Sequence, residues 1–127
     1  MLFGSPGVQT QGEEGSTPFG DAETVEEYVR EYWHDIPIMA EVARCESHFR
    51  HFDKNGDIIR GEVNKKDVGV MQINEYYHRD TAKKMDMDLY TLEGNLEYAR
   101  YLYEKEGTAP WSASRSCWNE QHLAMNQ

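Results

Sequence analysis

The chain is short of positive charge. Its 127 residues carry 13 Lys and Arg against 23 Asp and Glu, a formal net charge of −10 at pH 7. Binding a phosphate backbone requires clustered cations, so nucleic acid is excluded as an expected partner. No apolar run exceeds a few residues, which rules out a membrane-spanning helix. The opening stretch MLFGSPGVQTQGEEG lacks the basic and apolar regions of a signal peptide, so any export signal has been removed or export takes another route. Cysteine is nearly absent too. Cys45 and Cys117 permit one disulfide across a long loop, or else stand as two separate buried thiols beside Val42 and Trp118.

What is present suffices for one domain. A chain of this length buries roughly two thirds of the surface it exposes when unfolded, and 39% hydrophobic residues with 12% aromatics supply a core. Residues 1–20 hold Gly4, Gly7, Gly12, Gly15 and Gly20 among Ser, Thr, Gln and Pro, a composition that reads as a flexible tail or linker. The folded domain is expected over 21–118, with a short C-terminal tail over 119–127.

Within the domain, TVEE at 24–27 matches a capping box and opens a helix carrying Val25, Tyr28, Val29, Tyr32 and Trp33. Pro37 suits the first turn of a second helix, with Asp35 or Ile36 ahead of it. From Asp53 to Asn74 the helical period gives way to turn dipeptides between short β-prone pieces, Asn55-Gly56 marking a hairpin. Helical character returns around Tyr77 to Met85 and from Thr91 to Glu106, where Leu92, Leu96, Ala99, Leu102 and Tyr103 share a face and Gly107 supplies a stop. Pro110 prevents continuation. The expected class is α+β, mostly α, with a small β-hairpin region set between helices.

One residue breaks the pattern of the second helix. In VARCESHF, residues 42–49, Glu46 lies on the stripe formed by Ile38, Met39, Val42, Ala43 and Phe49. Twenty-one positions on, Asp67 falls in the turn-rich segment. A carboxyl held in an apolar setting has its pKa raised, whereas one in a polar, solvated setting stays ionised, so two acids can hold two roles at one pH. Glycosidic cleavage uses such a pair. Taken singly, Glu46 also reads as a helix-end glutamate reaching water, and Asp67 as a turn-capping aspartate.

Three pieces in order sharpen the reading. Cys45-Glu46-Ser47-His48-Phe49, then Asp67-Val68-Gly69-Val70-Met71-Gln72-Ile73-Asn74, then Asn95-Leu96-Glu97-Tyr98-Ala99-Arg100-Tyr101-Leu102 resemble the lysozyme-like lytic transglycosylase family that acts on peptidoglycan. The resemblance runs from about Pro37 to Trp118 and implies a lysozyme-like fold. It implies that Glu46 is the catalytic acid of a Glu-Ser motif, and that Gly69, Met71 and Gln72 belong to a Gly-Leu-Met-Gln motif lining the sugar cleft, with Val70 for leucine. Asp67-Val68-Gly69 with Gln72-Ile73-Asn74 is also similar to the Asp-x-Gly-x-x-Gln-Ile-Asn strand of c-type lysozymes, which implies that Asp67 is the second carboxylate. The assignment of acid and ionised partner is carried over from lysozyme with that resemblance. Typical transglycosylases have a small residue there and use one glutamate, so Asp67 favours hydrolysis. The family's C-terminal Ala-Tyr-Asn-Ala-Gly motif is missing, and PWSASRSCW at 110–118 stands in its place.

The expected activity is therefore a muramidase cutting the β-1,4 bond between N-acetylmuramic acid and N-acetylglucosamine. Transglycosylation by Glu46 alone and non-catalytic glycan binding are the alternatives. Trp111 is a candidate sugar platform or a core residue, and Tyr76, Tyr77, Tyr98 and Tyr101 share that ambiguity, with Tyr98 assigned to substrate binding. No cofactor is expected. The protein is expected to work as a monomer on glycan strands outside the cytoplasm, in the extracellular space, the periplasm or the cell wall. Asp53, Asn55 and Asp57 alternate as in a calcium loop, but Gly56 and Asn64 occupy the wrong positions, so no metal is assigned. His34, His48, His51, His78 and His122 lack the close helical pairing of a zinc site. The acidic surface suits least an enzyme of anionic walls, and points to work at acidic pH, in salt, or on walls of low charge.

Overall fold

The computed structural model describes residues 24–119. The tail expected over 1–20, His122, and all of the expected 119–127 tail except Asn119 lie outside these residues. Thr24 opens α1 (Val25–Tyr32) through a complete capping box: its hydroxyl accepts the Glu27 N–H at 3.0 Å, and the Glu27 carboxylate accepts the Thr24 N–H at 3.1 Å. Helix α2 (Pro37–Ser47) starts with Pro37 in its first turn and buries Met39, Ala40, Val42 and Ala43. It ends on two left-handed residues, His48 (φ 56°) and Phe49 (φ 60°), which turn the chain sharply away from the helix axis.

The β region is smaller than its sequence suggests. Phe52 and Ile58 form an antiparallel bridge around the Asn55-Gly56 turn, where Gly56 has φ +84°. Strand β1 (Asp67–Val68) pairs antiparallel with β2 (Ile73–Asn74), in the register Asp67 to Asn74 and Val68 to Ile73. Helix α3 (Glu75–Lys84) begins two residues ahead of the expected Tyr77, because the Asn74 side chain caps it by accepting the Tyr77 N–H at 3.1 Å. Helix α4 (Leu92–Glu106) is capped by Thr91 and stopped at Gly107, as its sequence indicates. Pro110 then sits in the first turn of a 3₁₀ helix (Ala109–Ser114), which leads into helical residues 115–119.

The architecture is α+β and mostly α, with a small two-stranded antiparallel sheet among the described residues. Helix α1 packs on α2, α3 on β2, and both α2 and α4 on the 3₁₀ helix. Trp33, Met39, Met71, Leu96 and Tyr98 are among the large side chains fully enclosed in the core.

Cys45 and Cys117 form a disulfide, which settles the alternative of separate thiols. The bond joins the last turn of α2 to the segment after the 3₁₀ helix, 72 residues later. Closing a loop of that length removes about 4 kcal/mol of entropy from the unfolded chain. The double substitution Cys45→Ser/Cys117→Ser is therefore expected to lower the unfolding free energy in urea by about 4 kcal/mol; a stability equal to wild type would contradict this account.

Candidate functional site

Residues 68–72 form a tight turn whose main chain is held by side chains from elsewhere in the chain. The Ser47 hydroxyl, at the end of α2, donates to the Val70 carbonyl at 2.8 Å. His51 Nδ1 accepts the Val70 N–H at 3.1 Å, so Nε2 carries the ring proton and donates to the Tyr90 carbonyl at 2.9 Å. From α4, Asn95 Oδ1 accepts the Met71 N–H at 2.9 Å while Nδ2 donates to the Val68 and Leu89 carbonyls. The Trp111 indole donates to the Met71 carbonyl at 2.9 Å. Ser47, His51 and Asn95 are all 1% exposed or less, so these bonds form away from water.

Gly69 is required at the head of the turn. Its φ is +80°, and a Cβ there would collide with the Asn95 amide and come within 2.8 Å of His51 Cε1. Gln72 closes the turn in the left-handed region (φ 52°), its amide donating to the Gly69 carbonyl at 3.0 Å. A non-glycine residue in that region stores backbone strain, which the surrounding bonds must hold in place.

The turn sets Asp67 and Gln72 on the wall of a small cavity of about 140 Å³, shared with Glu46 from α2, Asn74, His78 from α3 and Trp111. The proposed acids are thus brought together. Gly69, Met71 and Tyr98 line no part of this cavity. Met71 and Tyr98 are 0% and 1% exposed, so in this conformation neither offers a side-chain face to a sugar, while Trp111 lines the cavity at 3% exposure. Of these five assigned binding residues, Gln72 and Trp111 line the cavity. Tyr76 and Tyr77 are the exposed tyrosines, at 74% and 73%.

Glu46 is half-buried, and no ion pair reaches it among the described residues. Desolvation raises its pKa; the Ser114 hydroxyl, donating to Oε2 at 2.6 Å, opposes this, and the neighbouring Asp67 charge adds to it. Asp67 is half-buried as well, contrary to the solvated setting expected for it. Burial raises its pKa, against an Asn74 amide that donates to Oδ1 at 3.3 Å. Both carboxyls thus have raised pKa values, and a charge on Asp67 makes Glu46 harder to ionise.

Sequence reasoning passed over His78, which lines the cavity, and Ser114, which hydrogen-bonds Glu46 beside it. Ser114 sits in an aperiodic stretch with no signal in its favour. His78 was set among ordinary histidines; its Nδ1 lies 2.8 Å from the Tyr98 hydroxyl, and burial lowers its pKa, as does Lys105 more weakly, against Glu106. The alternating Asp53, Asn55 and Asp57 make a turn: Asp53 Oδ1 accepts the backbone N–H groups of Asn55 and Asp57 at 2.8 and 3.0 Å. No metal-holding group of three His, Cys, Asp or Glu occurs among the described residues. Comparison with family models, curated proteins and solved structures finds no match to this chain.

Two outcomes test the clamp. Gly69→Ala is expected to cost about 2 kcal/mol or more, from strain and collision together, in thermal or urea unfolding; a neutral effect would mean the turn adapts freely. His51 has a pKa lowered by burial, despite the Tyr90 carbonyl and Asp88. Its depressed value means that the unfolded chain takes up the proton first, so its contribution is full above the unfolded value of about 6.5 and is lost as pH falls. Between pH 7.5 and 5 wild type should lose stability relative to His51→Gln, and parallel pH curves for the two would refute the assignment.

Proposed function

We propose that this chain is a peptidoglycan muramidase, hydrolysing the β-1,4 bond between N-acetylmuramic acid and N-acetylglucosamine. The observation that carries the reading is Glu46: a half-buried carboxyl with no ion pair among the described residues, its pKa raised, in a cavity that also holds Asp67. The ordered motifs that resemble the lysozyme-like family support it.

In this reading Glu46 enters the reaction protonated and donates to the glycosidic oxygen as the C1–O bond breaks. The electron pair of that bond leaves with the oxygen, and positive charge develops on the ring. Asp67, as a carboxylate, stabilises that charge or attacks C1. Water completes the hydrolysis, and Glu46, now a carboxylate, takes its proton. Gln72, fixed by its bond to Gly69, is the polar side chain that positions the sugar; Met71 contributes as part of the turn, and Trp111 by donating to its main chain. The reaction needs no cofactor. The disulfide supports a site of action in an oxidising compartment outside the cytoplasm.

Asp67 in the cavity favours hydrolysis over transglycosylation, in which the sugar's own 6-hydroxyl would attack. On purified peptidoglycan, products are expected to gain water, and 1,6-anhydro ends would assign the chain to transglycosylation instead. Glu46→Gln is expected to abolish turbidity loss, by at least the roughly 10²- to 10⁴-fold that acid catalysis supplies. Unchanged lysis would leave only a non-catalytic glycan-binding role. The pH profile should be bell-shaped, falling at low pH as Asp67 is protonated and at high pH as Glu46 ionises.

A further inference from the structure

The 3₁₀ helix brings one hydroxyl to the proposed acid. Ser114 Oγ stands 2.6 Å from Glu46 Oε2 and 3.2 Å from the Trp111 carbonyl. A serine hydroxyl has one proton, and these two acceptors compete for it. The contact is held covalently close by: Cys45 immediately precedes Glu46, and Cys117 lies three residues beyond Ser114, so the disulfide fastens the two segments that carry acid and hydroxyl. Trp118 adds a second tie, its indole donating to the Trp111 carbonyl at 3.2 Å. That bond engages the acceptor competing for the Ser114 proton and leaves Glu46 as its better partner.

We propose that Ser114 is a positioning residue that dictates which oxygen of Glu46 carries the transferable proton. This rests on Glu46 being the acid of the proposed reaction. With Ser114 donating to Oε2, that oxygen is an acceptor, and the carboxyl proton resides on Oε1. Without the hydroxyl, the proton is free to occupy either oxygen, and only one of the two placements is productive. On transfer, the Oε1–H bond breaks, the proton passes to the glycosidic oxygen, and the negative charge left on the carboxylate is met at Oε2 by the existing Ser114 bond. A hydrogen bond to the anion is stronger than one to the neutral acid, so it gains strength as the proton leaves.

The titratable groups lining the cavity with Glu46 are Asp67 on β1 and His78 on α3. In the proposed reaction the alkaline limb is the ionisation of Glu46, and the carboxyl titration read at Glu46 itself separates it from those of Asp67 and His78. Since Ser114 holds the Glu46 pKa down against burial, its removal sends that limb upward.

The test compares Ser114→Ala and Ser114→Thr with wild type on purified peptidoglycan fragments, alongside carbon-13 NMR of the Glu46 carboxyl across pH. Ser114→Ala should lower kcat about tenfold, the order expected for one lost charge-assisted hydrogen bond, with KM little changed, and move the alkaline limb and the carboxyl titration to higher pH together. Ser114→Thr, which keeps the hydroxyl, should restore both. A loss of kcat with an unmoved limb, or a threonine variant no better than alanine, would overturn the positioning role. If wild type cleaves nothing while the carboxyl titration still shifts in Ser114→Ala, the hydrogen bond stands and the muramidase reading falls; if wild type is active and the titration does not shift, the reading stands and this role of Ser114 falls.

Discussion

The structure depends on how the main chain of residues 68–72 is held. A tight turn buried under helices leaves polar groups that no regular ladder can satisfy, and each one left unpaired would cost about 1–3 kcal/mol. Here Val68, Val70 and Met71 find partners in Ser47, His51, Asn95 and Trp111, which come from the end of α2, the loop after it, α4 and the 3₁₀ helix. Four segments distant in sequence thus converge on one stretch of backbone. The arrangement links the proposed acids mechanically: Ser47, which follows Glu46 in the chain, grips the turn that carries Asp67 at one end and Gln72 at the other.

Three glutamates placed in the protein's interior or at its edge show what the setting of Glu46 means. Burial opposes the charge of Glu41 and Glu75 as it does that of Glu46. For Glu41, however, Arg44 and Arg30 outweigh it, and for Glu75, Arg60 and the Tyr90 hydroxyl do, so both have lowered pKa values. Glu41 and Glu46 stand five residues apart on the same helix. The chain supplies guanidinium groups to one of them and gives the other a hydroxyl and a second acid. Glu41 and Glu75 are paired with guanidinium groups, whereas Glu46, beside a cavity, has no ion pair among the described residues, which is the basis for proposing it as the reacting acid.

Much of this was legible before the coordinates. Thr24, Pro37, Thr91 and Gly107 announce helix ends through local chemistry that acts within a few residues, and the structure places the ends there. Glu46 stood out because it interrupts an apolar period. Asn95 carried the same kind of signal, a polar side chain between Leu92, Leu96 and Ala99 on a buried face, yet its role as a clamp depends on a turn 24 residues away in sequence. Ser114 and His51 had no such signal, since both lie in stretches without a period. The sugar-facing parts assigned to Met71, Tyr98 and Trp111 reflect the same limit: residue type suggests what a side chain can contact, while only packing decides whether it reaches the surface.

The titratable groups of the cavity and of the clamp on the turn also pull stability in opposite directions with pH. Glu46 and Asp67, with raised pKa values, bind protons more readily folded than unfolded, so their burial opposes folding at neutral pH and is relieved as pH falls. His51 does the reverse: held neutral between Val70 and Tyr90, it favours the folded state at neutral pH and turns against it on acidification. Two raised carboxyls and one depressed imidazole are thus held around the same turn. The contribution of the Cys45–Cys117 bond, about 4 kcal/mol and independent of protonation, is the same on either side of neutrality, and the bond is made by the residue immediately before Glu46.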